Sequence, residues 1–349
     1  MTRFCGYLTA TGSECSFHLQ IHLLTRIIVA LKEEKNMDAA LFRSYRDRII
    51  NNVGKMILGK DEMILRVIVT YLCSGHVLLE DVPGTGKTML LRAFARSVGG
   101  EFRRVQFTPD LLPSDLTGIN FYNMKTQEFE YRPGPVFSQI ILADEINRAT
   151  PRTQASLLEA MEERQVTIDG VTRKMKEPFM VMATENPLES YGTFPLPEAQ
   201  VDRFFMRLSM GYMSREEELA VISRKPASQI VSELEQVVSE EETIRLKEMV
   251  RDVTVSDACA NYMMDIITAT RNDESLSSGV STRGGIALYQ ACQAYAALNG
   301  RDYVIPEDIR DLAPCILAHR IGASTASRKE TEAYVMRLVS SIKVPLEEL

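Results

Sequence analysis

A glycine-rich loop between an apolar strand and an apolar helix is the first chemical signal in this sequence. Residues 81–88 read DVPGTGKT, with Asp81 where the strict motif has glycine, and lie directly between HVLLE and MLLRAFARSV. Glycines allow backbone N–H groups to face an anion, and the N-terminus of the next helix favours negative charge. Lys87 would reach the terminal phosphates, and Thr88 would bind Mg²⁺. The residues predicted to hold the nucleotide here are Pro83, Gly84, Thr85, Gly86, Lys87, Thr88 and Met89.

The second signal is an apolar strand that ends in two adjacent carboxylates. Residues 140–145 read IILADE. Asp144 would hold Mg²⁺ through water and Glu145 would polarise the attacking water, a division of labour that suits the carboxyl end of a strand. Alone, an apolar run ending in Asp-Glu is common and often only leads into a turn. Together with the phosphate loop, it predicts ATP hydrolysis.

Two polar residues farther along could complete the catalytic site. Asn186 follows the apolar run 179–184, so it would emerge at the same sheet edge as Glu145 and orient water against the γ-phosphate. An asparagine before proline is also common in simple turns. Arg203 lies within PLPEAQVDRFF. Alone it suggests a solvated or ion-paired arginine, but in a ring of ATPase subunits it would point at a neighbour's γ-phosphate.

The elements that must position these residues alternate between strand and helix. Four short apolar runs predict buried parallel strands, at residues 76–80, 104–107, 139–144 and 179–184. Beyond Ser214 the strand pattern stops and helical periodicity takes over. We therefore expect an α/β fold: a doubly wound parallel sheet of the P-loop NTPase type over residues 37–213, then a smaller all-helical lid domain over 214–349. Residues 225–239 read as a loose polar connection.

The first 36 residues differ from the rest of the chain. They hold two of the six cysteines and two of the four histidines, without a clear link to the later pattern. One hypothesis is that the natural start is Met37 and that residues 1–36 are a loose tail or an extended gene prediction. The alternative is an ordinary N-terminal helical hairpin. The amphipathic helix after Met37 has apolar residues at helical spacing: Leu41, Tyr45, Ile49, Ile50, Val53 and Ile57.

Composition narrows the class of partner. The formal net charge of -7 argues against sequence-independent nucleic-acid binding, which uses excess lysine and arginine. The six cysteines are far apart and lack metal-ligand spacing, which favours small apolar residues in a reducing cytoplasm over a zinc site or a disulfide framework. No apolar run reaches the roughly 18 residues of a transmembrane span.

Together these segments resemble the MoxR family of AAA+ ATPases over about residues 57–321. The matching segments are EDVPGTGKT, FTPDLLPSDLTG, RPGPVF, ADEINRATPRTQASLLEAMEE, ATENP, GTFPLPEAQVDRF and GRDYVIPEDI. The resemblance implies four roles for the residues introduced above. They are the Walker A pair Lys87 and Thr88, the Walker B pair Asp144 and Glu145, the first sensor Asn186, and Arg203 as the arginine finger for the next subunit.

The same resemblance implies further nucleotide contacts. Ser281-Thr282-Arg283 is similar to the family's Ser-Pro-Arg at the start of a lid helix, which makes Arg283 the second sensor. Thr282 replaces the usual proline, and Gly284 stands where alanine is common. Ile57-Leu58-Gly59-Lys60 resembles the segment that packs against adenine, while Gly59 could equally end a helix. Near the subunit boundary, Arg148 or Arg152 could also act on a neighbour.

Two insertions resemble the helix-2 insert and the pre-sensor hairpin of related AAA+ proteins. The first covers about residues 108–135 and is rich in Pro, Gly, Asp and aromatic residues. The second covers about 165–175, where Asp169-Gly170 between two alternating runs predicts a β-hairpin. By resemblance both would face the pore of a hexameric ring, although individual side chains could simply belong to surface loops.

The resemblance implies a Mg²⁺-dependent ATP hydrolase that forms a homo-oligomeric ring and remodels or assembles a client protein, with metal-cofactor insertion as one form of that assembly. A von Willebrand factor A domain protein would be its partner, with no nucleic acid involved. The alternatives are an ATPase subunit like that of magnesium chelatase, a nucleic-acid-associated AAA+ motor, and a scaffold that binds ATP and barely hydrolyses it. The absence of a GAFTGA loop argues against a transcription activator.

Overall fold

The computed structural model describes residues 39–81, 84–185, 192–224, 226–322 and 327–345. The expectations for residues 1–36 and for a start at Met37 lie outside these ranges. The strands are β1 Val77–Glu80, β2 Phe102–Gln106, β3 Gly118–Asn123, β4 Glu128–Pro133, β5 Ile140–Asp144, β6 Gln165–Ile168, β7 Val171–Lys174, β8 Met180–Glu185 and β9 Met206–Leu208. The central sheet has the order β2-β5-β8-β1-β9, and all its neighbouring strands are parallel.

Helices surround this sheet and then continue alone. The α-helices are α1 Ala39–Gly54, α2 Asp61–Leu72, α3 Lys87–Val98, α4 Pro113–Thr117, α5 Pro151–Glu163, α6 Glu198–Val201, α7 Arg215–Ser223, α8 Ala227–Glu233, α9 Glu240–Met249, α10 Asp257–Arg271, α11 Thr282–Leu298, α12 Pro306–Leu317 and α13 Arg328–Ser341. Short 3-10 helices occupy Pro135–Phe137, Ile146–Arg148 and Val250–Asp252. The predicted α/β core with a parallel sheet, followed by a helical lid, is confirmed. None of the helices in the described ranges is both long and apolar enough to span a membrane.

Alternation of side chains along the strands explains why both faces of the sheet are buried. Leu78, Ile141 and Val181 face α5 and join one hydrophobic core with its Leu157 and Leu158. Their neighbours along each strand point to the opposite face and are also buried. Each fully buried aliphatic side chain stabilises the fold by roughly 1.5–3 kcal/mol. The strand ends that carry the site therefore rest on a well-packed layer.

A buried histidine, His76, lies just before β1 and links strands at the end of the sheet opposite to the phosphate loop. The Nδ1 of His76 accepts a hydrogen bond from the backbone N–H of Val181 at 2.9 Å. Its Nε2 lies 3.1 Å from the carbonyl oxygen of Met161, so the proton belongs on Nε2 and is donated there. Burial lowers the pKa of His76 to about 3. The ring is therefore neutral and links β1, β8 and the end of α5.

The amphipathic helix predicted after Met37 is α1, and its buried face confirms the periodicity. Tyr45, Ile49 and Val53 are buried. The Tyr45 hydroxyl lies 3.0 Å from the Thr243 hydroxyl of α9, so α1 also contacts the helical region. The helix ends at Gly54, and Ile57 is buried in the turn that follows.

Three expectations about the elements were wrong or incomplete. The second strand is not buried: β2 is an edge strand, and Arg103 and Arg104 are exposed on it. Residues 225–239 are not a loose connection, because they contain α8, and the backbone N–H of Val237 donates to Ser97 in α3 at 2.9 Å. The strand β9 was not predicted, since three residues are too few for a periodic pattern.

Two antiparallel hairpins project from the core and contact each other. The first is β3–β4, within the predicted insertion, and the second is β6–β7, which confirms the hairpin expected around Asp169-Gly170. Asn120 donates to the carboxylate of Asp169 at 2.5 Å. The guanidinium of Arg173 stacks 3.8 Å above the ring of Tyr131. The two hairpins therefore form one joined surface.

Candidate functional site

The phosphate loop (residues 81–88) runs from β1 to the first turn of α3. Gly84 and Gly86 have φ of 86° and 93°, in the left-handed region that suits glycine, and Gly86 is the N-cap of α3. Lys87 donates from Nζ to the carbonyl oxygen of Asp81 at 2.9 Å, and partial burial lowers its pKa. The loop thus presents glycine backbone, a helix N-terminus and one lysine, which together suit a polyphosphate.

The phosphate loop and three strand ends enclose a cavity of about 390 Å³, the nucleotide cavity. The carboxyl ends of β2 and β5 meet here because Gln106 pairs with Asp144 in the parallel register. The strand β8 lies on the other side of β5 and contributes Thr184. The lining residues are Gly84, Gly86, Lys87, Thr88, Met89, Arg104, Gln106, Asp144, Glu145 and Thr184.

The two acidic residues are held by donors from neighbouring strands. Oδ1 of Asp144 accepts from the Thr184 hydroxyl at 2.7 Å, and Oδ2 accepts from Arg104 at 2.7 and 3.0 Å. Oε2 of Glu145 accepts from Gln106 at 2.7 Å and from Arg148 at 3.0 Å. Both carboxylates are therefore oriented before any ligand arrives.

The backbone at Glu145 is also constrained. It adopts φ 57° and ψ 52°, the left-handed conformation that non-glycine residues rarely occupy. Its N–H donates to the Thr184 hydroxyl at 2.8 Å, which holds this geometry. Backbone strain of this kind costs roughly 1–3 kcal/mol and concentrates at functional sites. It turns the Glu145 side chain away from β5 and toward Gln106.

Sequence reasoning missed three residues that line the nucleotide cavity: Arg104, Gln106 and Thr184. The available signal was the polar pair at alternate positions of β2, which places both side chains on one face of the strand. That signal could not be assigned to the site, because the strand order that puts β2 beside β5 is not written in the local sequence. Thr184 had been treated only as the last residue of a strand.

Some predicted residues do not line this cavity or are not described. Pro83 and Asn186 lie outside the described residues. Gly59 lines a separate cavity of about 480 Å³ with Met63 and Met210. It does not end a helix, since α1 stops at Gly54 and Gly59 lies in the turn before α2.

Arg203 and Arg283 lie together, away from the nucleotide cavity. Arg203 donates from Nη1 to the Leu158 carbonyl oxygen and pairs with Glu162, each at 3.1 Å. Arg283 pairs with the other carboxylate oxygen of Glu162, and its Nη1 lies 3.8 Å from Asp202. One carboxylate thus holds two guanidiniums that were predicted separately. We call this group the arginine cluster; its members are Glu162, Asp202, Arg203, Arg283 and Arg320.

Arg320, which lies just after the end of α12, holds the turn that carries Arg203. Its Nε donates to Asp202 at 2.9 Å, and its Nη2 donates to the carbonyl oxygen of Phe204 at 2.6 Å. Burial lowers the pKa of Arg320 to about 10, so it remains charged near neutral pH. A Cβ on Gly284 would lie 2.7 Å from the Arg320 side chain, which explains glycine where alanine is common. The arginine cluster is therefore built from both core and lid.

The other two arginines lie near α5. Arg148 pairs with Glu145 and so contacts a residue that lines the nucleotide cavity. Arg152 is exposed in the first turn of α5. The two arginines therefore differ in their surroundings, since Arg148 contacts a site residue and Arg152 faces solvent.

Two family models match this chain. The family model "ATPase family associated with various cellular activities (AAA)" matches residues 76–206, and the "AAA lid domain" model matches residues 268–337. All the residues that line the nucleotide cavity lie within the first match. Arg283 and Arg320 lie within the second, whereas Arg203 lies in the first. The arginine cluster therefore spans both matches.

Several relatives cover most of the chain. It is 50% identical over 303 residues to protein YeaC of Bacillus subtilis, covering 86% of this chain and 95% of the relative. It is 40% identical over 311 residues to Chaperone MoxR1 of Mycobacterium tuberculosis, covering 86% and 82%. It is 34% identical over 311 residues to Protein MoxR of Paracoccus denitrificans, covering 82% and 91%.

A solved structure shares the fold. The crystal structure of a Cytophaga hutchinsonii protein described as an ATPase superposes with a TM-score of 0.81 at 38% identity. The match covers 92% of this chain and 100% of that one. The agreement therefore extends over core and lid together.

Proposed function

This chain belongs to the MoxR family of AAA+ ATPases. We propose that it forms a hexameric ring and uses Mg²⁺-dependent ATP hydrolysis to remodel or assemble a client protein. ATP hydrolysis itself follows from the family. The observation that carries the ring proposal is the separation of the nucleotide cavity from the arginine cluster on one chain.

The residues of the nucleotide cavity fit Mg²⁺. Thr88 and Asp144 line the same cavity and offer a hydroxyl and a carboxylate. Mg²⁺ prefers such oxygen ligands and usually completes its shell with waters and substrate phosphates. Within the described ranges no group of three or more His, Cys, Asp or Glu side chains is placed to hold a metal ion. When bound, Mg²⁺ would neutralise charge on the phosphates.

The protein side of the reaction follows from the contacts. Glu145 would accept the proton of the attacking water, and Gln106 and Arg148 hold its carboxylate in place. Lys87 would exchange its bond to the Asp81 carbonyl for the terminal phosphates. Asn186, proposed to orient the water, would follow directly after β8. These residues would together activate water and stabilise the charge that develops on the phosphates.

The arginine cluster would serve the nucleotide of a neighbouring subunit. Arg203 and Arg283 retain 32% and 46% side-chain exposure, so a second chain could reach both. A shared carboxylate keeps the two cations close, and a γ-phosphate could take the place of Glu162 between them. This supports Arg203 as the finger in trans, and Arg283, which we propose as the second sensor, pairs with the same carboxylate.

The joined hairpins offer a surface for the client. Met124 and Phe129 are 86% and 75% exposed, at or beside the tip of β3–β4, and the ring of Phe129 contacts Tyr122. Exposed apolar side chains of this kind are typical of protein-binding surfaces. The printed name of the Mycobacterium relative describes a chaperone. A client, a von Willebrand factor A domain partner and a role in metal-cofactor insertion remain part of the proposal.

Assembly can be tested by mass photometry of Glu145→Gln with and without Mg²⁺ and ATP. We expect nucleotide to convert smaller species into a closed ring of about six subunits, the number that the family resemblance implies. The matched control is Glu159→Gln, which changes an exposed acid of α5. Species that stay monomeric at micromolar concentration with saturating ATP would contradict the ring.

A further inference from the structure

Asp81 departs from the strict phosphate-loop motif, and its side chain is fully engaged elsewhere. It is 7% exposed, and its carboxylate accepts three hydrogen bonds. The donors are the Ser209 hydroxyl at 2.7 Å, the Met210 backbone N–H at 2.5 Å and the Gly211 backbone N–H at 3.3 Å. A buried carboxylate needs such donors to offset its lost hydration. The departure from glycine therefore creates a specific link to residues 209–211.

Residues 209–211 begin the connection from core to lid. They follow β9 directly and lead to α7, whose flanking residues contact the turn after α1. Lys60 donates to the Tyr212 carbonyl oxygen at 3.0 Å, and Arg224 donates to the Met56 carbonyl oxygen at 2.6 Å. The connection and the turn thus form one unit beside the phosphate loop.

This unit presents apolar groups next to the phosphate loop. A Cβ placed on Gly86 would lie 3.8 Å from both the Ile57 Cδ1 and the Met210 methyl group. Apolar side chains cannot bind phosphate, but they can cover the flat face of a base. We call Ile57 and Met210 the base-side wall. Asp81 joins the two parts: its carbonyl oxygen accepts from Lys87, and its carboxylate holds Met210.

We propose that Asp81 is a positioning residue that fixes the base-side wall relative to the phosphate loop. A ligand with both a base and a polyphosphate would use both parts at once, whereas a bare polyphosphate would use the loop alone. Asp81 would then act on nucleotide binding through Met210 rather than by touching phosphate. The inference rests on the proposed nucleotide binding in the cavity.

The test compares ADP with inorganic tripolyphosphate on Asp81→Gly, which restores the strict motif and keeps a main-chain carbonyl at position 81. If the loop alone mattered, this variant would bind ADP as well as the wild type. We expect its Kd for ADP to rise about tenfold, as loss of the buried hydrogen bonds implies. The Kd for tripolyphosphate, measured by competition with fluorescent ADP, should change less than about twofold.

Two further variants separate positioning from general loosening. Ser209→Ala removes only the hydroxyl donor and should raise the Kd for ADP by about two- to threefold, again sparing tripolyphosphate. Asp81→Asn keeps an acceptor for Ser209 but turns an N–H₂ group toward the Met210 N–H, so its effect should lie between the other two. Hydrogen exchange at the Met210 and Gly211 amides should quicken in the same order.

Each contrary outcome has a distinct meaning. Equal weakening of both ligands would overturn the inference, because it would show that Asp81 only stabilises the loop. A Kd for ADP that stays at the wild-type value would overturn it as well, because Asp81 would then have no effect on nucleotide binding. If Asp81→Gly does not fold, the ratio for Ser209→Ala and Asp81→Asn decides in the same way. A wild-type protein that binds neither ligand would overturn the proposed nucleotide site itself, and the inference with it.

Discussion

The nucleotide cavity and the arginine cluster differ in how many parts of the chain they need. The cavity is assembled at one edge of the central sheet, from strand ends and the first turn of α3. The arginine cluster joins Glu162 of α5 and the turn at Asp202 to Arg283 and Arg320 of the helical region. A movement of the lid would therefore disturb the cluster and leave the cavity intact. We therefore propose that nucleotide binding depends on the core, whereas activation depends on the position of the lid.

The largest effect is expected from a substitution in the nucleotide cavity that abolishes hydrolysis but leaves nucleotide binding intact. Glu145→Gln keeps the hydrogen-bonding shape of the side chain but removes the base. We expect kcat for ATP hydrolysis to fall by about a thousandfold, within the range for loss of a general base. The Kd for ADP should change less than about threefold. Glu159→Gln is the control, and a weakening of ADP binding that matches the loss of rate would contradict the assignment.

A change in the arginine cluster should lower the rate of ATP hydrolysis and leave ADP binding unchanged. Glu162→Gln removes the charge that holds Arg203 and Arg283 together. We expect kcat to fall by about five- to tenfold because both guanidiniums lose their orientation, with the Kd for ADP unchanged. Glu163→Gln, the exposed neighbour, is the matched control. A change in the Kd for ADP with no change in kcat would mean that the cluster belongs to nucleotide binding.

A smaller effect is expected on the pH dependence of stability, from the buried carboxyl of Glu185. Glu185 ends β8 opposite Glu80 in the register, near Arg207. Burial, helped by the charge of Glu80, raises the pKa of Glu185 from 4.5 to about 7. Between these values the folded protein holds a proton that the unfolded chain has lost, so stability falls as pH rises through this window.

Glu185→Gln should remove this decrease of stability with rising pH, because a glutamine does not ionise. We expect it to be more stable than the wild type by about 1 kcal/mol at pH 8 and to differ much less at pH 4.5, where the folded carboxyl is protonated and only half of the unfolded carboxyls are ionised. Urea unfolding at the two pH values measures the difference. A variant whose stability changes with pH in parallel with the wild type would show that Glu185 ionises normally.

The sequence identified residues within continuous motifs better than it identified their neighbours in space. Lys87, Thr88, Asp144 and Glu145 are adjacent in motifs whose strand and helix context can be read locally, and they line one cavity. Arg104 could not be assigned to this cavity, because its place depends on which strand lies beside β5.

The contacts within the arginine cluster could not be predicted from the sequence either, because its members are far apart along the chain. Arg203 and Arg283 were each singled out, but local sequence contains nothing that brings them to Glu162. Their meeting depends on how α11 and α12 pack against the core, where Arg320 is buried beneath the turn at Asp202. Tertiary packing of that kind is not encoded in any short motif.

The central claim is that the active site is shared between copies of the chain. The most direct measurement is ATP hydrolysis per subunit in mixtures of Glu145→Gln and Arg203→Ala, with each variant alone and with the wild type at increasing concentration. One variant lacks the base and the other lacks the finger, so a mixed assembly contains interfaces with both groups intact. The account predicts that the mixture regains activity that neither variant has alone, and that wild-type activity per subunit rises with concentration. A mixture no more active than its components, with a flat wild-type rate, would contradict it.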